Sequence, residues 1–275
     1  MIQNVKSSVM PISMMSNVLN SRALLKQLMV RDFTARYKSG ALGLAWTMIN
    51  PLLMLALYSF VFVAVFQMRW GVNDTSGHNF ILLLFTGILV HGLFSEFVTR
   101  SPTLIISNPA YVKKVVFPLE LIPITPLLSA IVNFSLGMIL VLLMQVWVNG
   151  EISIYTLLMP LIIAPFVILL LGISFIFSSL GVYFRDLNQI SGLISTIAIF
   201  ASPVLFPMEN VPEKYRNLLY LNPITLVVEQ LREMVILGQL PNLLHTMIYA
   251  AISILIFLLG LVWFKIVKKG FSDVL

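Results

Sequence analysis

Six stretches of the 275-residue chain carry no Asp, Glu, Lys or Arg: residues 39–68, 75–95, 121–150, 152–184, 187–208 and 234–264. Even the shortest, at 21 residues, makes a helix of about 32 Å at 1.5 Å per residue, enough to cross ~30 Å of hydrocarbon. None shows the alternation of a lipid-facing β-strand, so a β-barrel is excluded. The chain therefore reads as an all-α integral membrane protein with six transmembrane helices, spanning about 41–66, 77–95, 119–147, 154–183, 187–207 and 240–264. Residues 1–38 form a cytoplasmic arm, and 39–275 form a single transmembrane domain. Composition agrees: 59% of residues are hydrophobic and only 10% charged, against about a quarter charged in an ordinary soluble domain. The first long apolar run begins near Ala41, and what precedes it lacks the basic-then-apolar layout of a secretory signal.

Orientation follows from the basic residues. With the N-terminus in the cytoplasm, the inner segments hold Lys6, Arg22, Lys26, Arg31, Arg36, Lys38, Arg100, Lys113, Lys114, Arg185, Lys265, Lys268 and Lys269. The outer segments hold Arg69, Lys214, Arg216 and Arg232. Thirteen against four is the positive-inside bias, and an even number of spans leaves both termini cytoplasmic. The net charge of +6 thus reports cytoplasmic loops rather than a nucleic-acid partner.

Three segments outside the spans need an explanation. Residues 18–38 read as a helix whose wheel mixes Arg22, Lys26 and Arg36 with Met29 and Phe33, which suits either an interfacial helix with snorkelling basic side chains or a juxtamembrane basic segment. Residues 96–120 form an inner loop too apolar for a solvated turn, divided by Pro102, Pro109 and Pro118; such a segment wants a partner surface. Outside, 217–228 is a charge-free run of 12 residues broken at Asn222-Pro223 and followed by Glu229, Arg232 and Glu233. A run that short cannot span, so 209–237 reads as a re-entrant helix pair between helices 5 and 6, shielded by protein.

Several chemistries are missing. The chain has no cysteine, which excludes disulfides and thiolate chemistry. It has no P-loop for ATP hydrolysis. No helix centre carries a charge, so proton- or sodium-coupled transport and voltage sensing lose their usual residues. Glu96 and Glu120 lie at span edges and read as interfacial carboxylates. His78, His91 and His245 belong to no metal-binding motif, and no serine stands in a nucleophile elbow. We therefore expect no catalytic residue, no metal site and no cofactor bound by this chain.

What remains is a path. Tyr58, Phe62 and Phe66 recur at i, i+4 and i+8 on the first helix; such a stripe is a packing or lipid-facing surface, or else a wall on which sugar rings stack. Ser191, Ser195, Ala198 and Ser202 form a small stripe on the fifth, which is either a helix-packing face or a hydroxyl-lined part of the same wall.

An ordered set of motifs then carries a resemblance. Arg31-Asp32-Phe33, Arg36-Tyr37, Leu42-Gly43, Trp46 and Asn50-Pro51 come first, followed by Phe184-Arg185-Asp186-Leu187. Next come Ser202-Pro203, Phe206-Pro207, Val211-Pro212, Tyr220-Leu221-Asn222-Pro223, and Glu229 with Arg232. Over nearly the whole chain this resembles ABC-type polysaccharide export permeases, most closely the O-antigen (lipopolysaccharide) exporter permeases of Gram-negative bacteria, with capsule and teichoic-acid permeases as near relatives.

The resemblance implies a multi-pass inner-membrane homodimer that binds two ABC ATPase subunits, with ATP and Mg2+ held by those partners. It would move an undecaprenyl-diphosphate-linked polysaccharide from cytoplasm to periplasm. Arg31, Asp32, Arg36, Tyr37, Arg100, Lys113, Lys114, Arg185 and Asp186 would then couple to the ATPase, the coupling segment being 100–116. Trp46, Tyr58, Phe62, Phe66, Ser191, Ser195, Phe200 and Ser202 would line the channel, and Tyr220, Asn222, Pro223, Glu229 and Arg232 would form the periplasmic gate. An ABC permease for a small lipid or drug, or an intramembrane glycan-assembly enzyme, are the competing expectations.

Overall fold

A computed structural model describes residues 20–38, 42–68, 78–113 and 117–275. The described residues form helices and turns, with no strand among them. The arm is helix α1 (Arg22–Lys38). It lies on the bundle with Leu28 buried beneath it, while most of its charged residues face outward.

The first span begins with a tight turn at Gly43–Ala45, where Gly43 takes φ +51°, and continues as α2 (Trp46–Tyr58). It widens into a π-helix over Ser59–Val65. This span is the least embedded: Leu52, Leu53, Leu57, Phe60 and Phe66 are all exposed. The second, α3 (His78–Arg100), is the opposite. It is central, with Leu82, Leu84, Val90 and Phe97 fully buried, and it packs against four later helices.

Helix α3 runs past the expected end at residue 95 to Arg100 because Glu96 and Arg100, one turn apart, pair with each other at 3.1 Å rather than with water. A turn at Ser101–Thr103 and the one-turn helix α4 (Pro109–Val112) follow.

A 3-10 segment, Leu119–Ile124, leads into α5 (Leu127–Asn149), which stops at Gly150 in the left-handed conformation, φ +79°. Helix α6 (Met159–Tyr183) packs closely on α10 (Leu243–Val267). Glycines set the distance: a Cβ on Gly172 would stand 2.8 Å from the Phe257 backbone, and one on Gly260 would stand 2.4 Å from the Gly172 carbonyl oxygen. Small residues at a crossing are how membrane helices approach without a hydrophobic driving force. The segment after α3 touches the same helix, since a Cβ on Gly181 would collide with Pro102.

Five helical segments are long and apolar enough to cross a membrane: Gly43–Val65, Asn79–Thr103, Leu119–Asn149, Ile154–Tyr183 and Leu243–Val274. The sixth apolar helix, α7 (Leu187–Phe200), has 14 residues, about 21 Å. It ends short of residue 207 because Pro203 lacks a donor and its ring excludes the carbonyl four residues back. The chain then turns into α8 (Glu213–Leu219) and α9 (Thr225–Val235), which the Asn222-Pro223 break separates. After α10 the C-terminal helix α11 (Phe271–Val274) folds back, with Phe271 buried against Phe264 at 5.6 Å between ring centres.

Candidate functional site

Two junctions hold the terminal and connecting segments to the bundle, one at each end. At the inner end, the last turn of α3 meets the arm. Arg100 Nη2 donates to both carboxylate oxygens of Asp32, at 2.7 and 2.8 Å. Its Nη1 donates to Glu96 Oε1 at 3.1 Å and to Ser129 Oγ at 3.2 Å. Arg36 Nη2 reaches the same Glu96 oxygen at 2.7 Å, and Ser129 Oγ donates to it at 2.8 Å. Asn133 Nδ2 makes a long contact of 3.5 Å to Glu96 Oε2.

Two arginines and two carboxylates thus balance in charge across α1, α3 and α5. With Nη2 shared between the two Asp32 oxygens and Nη1 on Glu96 and Ser129, the Arg100 guanidinium ties α1 and α5 to the last turn of α3. The pair with Asp32 is only partly shielded, with side-chain exposures of 25% for Arg100 and 22% for Asp32.

The arm also reaches the segment after α3. The Arg31 guanidinium hydrogen-bonds the Tyr111 hydroxyl and lies 5.4 Å from the ring centre. Tyr111 stacks on Phe117 at 4.2 Å and 18°. Beneath it a buried hydroxyl relay, Ser101 Oγ to Ser174 Oγ at 2.9 Å and Ser174 Oγ to the Pro123 carbonyl at 2.8 Å, ties the segment to α6. Lys268 pairs with the buried Glu120, and Tyr183 donates to the Val267 carbonyl at 3.1 Å, so the C-terminal turn joins the same end.

The structure therefore brings Arg31, Asp32, Arg36 and Arg100 together. Lys113 is exposed beside them, and Arg185 and Asp186 are exposed in the turn between α6 and α7. Tyr37 lies in α1 with its side chain outside the described residues, and Lys114 lies outside them altogether. Sequence reasoning missed Glu96 as the hub, although its i, i+4 spacing to Arg100 was the visible signal.

At the outer end the anchor is Arg232, 5% exposed. Nε donates to the Leu83 carbonyl at 2.8 Å and Nη2 to that of Val204 at 2.8 Å; Nη1 bonds the Pro203 carbonyl. The guanidinium therefore ties two carbonyls of the turn after α7 to one on α3. Gly87 makes room, since a Cβ there would come within 2.9 Å of Arg232 Nη2 and 3.2 Å of Val204 Cα.

Asn222 binds the same turn from the other side. Its Nδ2 donates to the Ala198 and Ala201 carbonyls at 2.8 and 2.9 Å, and its Oδ1 accepts the Ile224 N–H at 3.1 Å. The Pro223 carbonyl accepts from Tyr249 at 2.9 Å. Tyr220 is half exposed.

The residues expected to line a path divide in two. Trp46, Phe66 and Phe200 are exposed, at 41%, 63% and 65%, and Tyr58 and Phe62 are half-buried. Ring centres run 6.2 Å from Tyr58 to Phe62 and 6.1 Å from Phe62 to Phe66. Ser191, Ser195 and Ser202 are instead buried. Ser195 Oγ donates to Ser95 Oγ at 2.8 Å, and its carbonyl accepts from His91 Nε2 at 2.9 Å, so in this subunit the stripe packs α7 on α3. Among the described residues no three His, Cys, Asp or Glu side chains cluster as a metal site.

Comparison with known proteins gives a consistent result. The family described as ABC-2 type transporter matches residues 23–236, a range that includes both junctions. The chain is 30% identical to an O-antigen export system permease protein RfbA of Klebsiella pneumoniae, covering 89% of this chain and 92% of that protein. It is 29% identical to the RfbA protein of Myxococcus xanthus, covering 86% and 88%. Identity to the polysialic acid transport protein KpsM of Escherichia coli is 24%, covering 89% and 93%.

Proposed function

The chain belongs to the ABC-2 type transporter family, and on that premise we propose that it is the transmembrane subunit of an ATP-driven exporter of lipid-linked polysaccharide, of O-antigen type. It is a transporter permease and a multi-pass protein of the bacterial inner membrane. The observation that carries the cargo class is the match to O-antigen export permeases along almost the full length of both chains. The similarity to KpsM favours a capsule-type polymer as the second reading.

In this proposal α7 and the turn after it make the fifth of six spans and α10 the sixth, both termini face the cytoplasm, and α8 and α9 re-enter the membrane from outside. Two copies pair and bind two ABC ATPase subunits, which hold ATP and Mg2+. Residues 100–116 form the coupling segment. ATPase movement reaches the bundle through the inner junction: the Arg100–Asp32 pair and the Arg36–Glu96 pair make α1 and α3 move as one body. Arg31 on Tyr111 passes motion of the coupling segment to the same arm. Lys113, Lys114, Arg185 and Asp186 supply the charged surface facing the ATPase.

Outside, Tyr220, Asn222, Pro223, Glu229 and Arg232 hold the gate. Trp46, Tyr58, Phe62, Phe66 and Phe200 offer ring faces to a passing glycan, since sugar rings stack on aromatic surfaces. Ser191, Ser195 and Ser202 position α7 rather than touch cargo, because they are buried in the subunit.

Deletion of the chain in its host tests the cargo. Loss of surface glycan, read with a membrane-impermeant label, together with carrier-linked polymer accumulating in the inner membrane, is the expected outcome. Unchanged surface glycan with no accumulation would refute polysaccharide export.

A further inference from the structure

Behind α2 lies a cavity of about 470 Å3 that shares Arg36, Glu96 and Asn133 with the inner junction and runs on from it along the first span. That volume is within the usual range for a small-molecule site. Its inner end is polar, where Arg36, Asn50, Glu96 and Asn133 meet, and it is apolar from there down to Met54 and Phe85. Glu96 and Phe85 are eleven residues apart on α3, about 16 Å along a helix axis, which is half of a ~30 Å hydrocarbon layer. The cavity is one leaflet deep. Trp46 and Met54 at its edge are exposed, so it opens beside the bare surface of the first span.

The polar end offers both signs. The Arg36 guanidinium donates there, while Glu96 Oε2 receives only the long Asn133 contact at 3.5 Å among the described residues. A headgroup carrying both a phosphate and an ammonium complements that pair; an anion alone would face the Glu96 carboxylate. We propose that this cavity holds one acyl chain of an inner-leaflet phospholipid, its zwitterionic amine–phosphate headgroup set against Arg36 and Glu96. The depth argues for an acyl chain over a longer polyisoprenoid, which one leaflet would not contain. The assignment of leaflet rests on the topology proposed above. A lipid in this position fills the joint between the arm, the first span and the bundle.

One lining residue makes the test clean. A Cβ on Gly92, a lining residue, would meet nothing within 4 Å, so a side chain there starts into open space; Gly92→Leu is the filling variant and Gly92→Ala its control. The full chain is purified from membranes, washed in detergent and analysed for bound lipid. Native protein and Gly92→Ala retain phosphatidylethanolamine at one molecule per chain; Gly92→Leu loses it at an unchanged unfolding temperature. Glu96→Gln keeps a bound lipid but loses the preference for phosphatidylethanolamine over phosphatidylglycerol.

In a second measurement, needing no variant, phosphatidylethanolamine with a photoreactive acyl chain labels the peptides bearing Met54 and Ile88. Equal lipid retention in Gly92→Leu, labelling only elsewhere, or retention of polyprenyl phosphate alone would overturn the proposal. So would a second copy of this chain cross-linking into the cavity. Because the readout is bound lipid, it is independent of whether the protein exports polysaccharide.

Discussion

Arg100 and Arg232 each fasten a distant segment to helix α3 or its neighbours, yet they do so by different chemistry. Arg100 is partly exposed and bound by two carboxylates. Arg232 is buried and bound by backbone carbonyls. The first arrangement can exchange partners, because each acceptor could be replaced by water or by the other acid at modest cost. The second cannot, because the guanidinium is buried and its acceptors, two in the turn after α7 and one on α3, are backbone carbonyls held in place. The inner end has the chemistry of a joint and the outer end that of a rivet.

Removing the rivet should give the largest effect. Arg232→Met leaves the Pro203 and Val204 carbonyls without their donor, and each unsatisfied buried group costs about 1–3 kcal/mol. We expect a loss of several kcal/mol, seen as a lower unfolding temperature in detergent. Arg232→Lys should rescue little, since an ammonium on a flexible stem cannot reproduce a planar fork with fixed donor directions. The absence of cysteine from the chain permits a second readout, in which Val228→Cys, buried on α9, gains reactivity towards an impermeant thiol reagent when α8 and α9 come loose. Gly87→Ala probes the same contact from the other side. Its Cβ meets Arg232 Nη2 at 2.9 Å and the Val204 backbone at 3.2 Å, and overpacking of this kind costs about 1–3 kcal/mol. An Ala variant as stable as the parent would show that the turn can give way.

How much of this was legible beforehand depends on where the constraint acts. The long spans were legible because lipid forbids charge locally, residue by residue. What holds the turn after α7 was not: Pro203 ends the helix locally, but the donor for its carbonyl lies 29 residues later in sequence. The break at Asn222-Pro223 was visible in the dipeptide itself, but its purpose, two amide bonds to the end of α7, was not. The serine stripe had helical spacing and therefore a face; only packing shows that the face turns to α3. Arg31, Asp32 and Arg36 emerged through a resemblance, whereas Glu96 looked bland at a span edge until its three charged or hydroxyl partners stood around it.

Breaking the joint should do the reverse of breaking the rivet, with a small stability effect and a large functional one. Asp32→Ala removes one partly exposed ion pair, for which about 1 kcal/mol is expected, while Arg100→Ala also removes the contacts to Glu96 and Ser129. Stimulation of the partner ATPase should nonetheless fall sharply. The double exchange Asp32→Arg with Arg100→Asp should recover part of it, since the pair can re-form with its sign reversed. The stability cost should also shrink as salt rises, because exposed charges are screened over ~8 Å at physiological ionic strength, whereas the Arg232 variants should be indifferent to salt. Equal salt dependence at both ends would erase the distinction.

The smallest effect should come from the contact between the arm and the coupling segment. Arg31 lies over the Tyr111 ring and hydrogen-bonds its hydroxyl, while Phe117 supports the ring from its other neighbour. An exposed cation–π contact contributes about 0.5–1 kcal/mol. Tyr111→Phe keeps the ring, the stack and the cation–π contact and loses only the hydroxyl, so coupling should be nearly intact. Tyr111→Ala removes all of them and should lower ATPase stimulation towards the level of Arg31→Ala, with the double variant no worse than either single one. Such non-additivity is the signature of one shared contact. Additive losses would mean that Arg31 and Tyr111 act through separate surfaces, and the arm would then sense the ATPase directly rather than through the coupling segment.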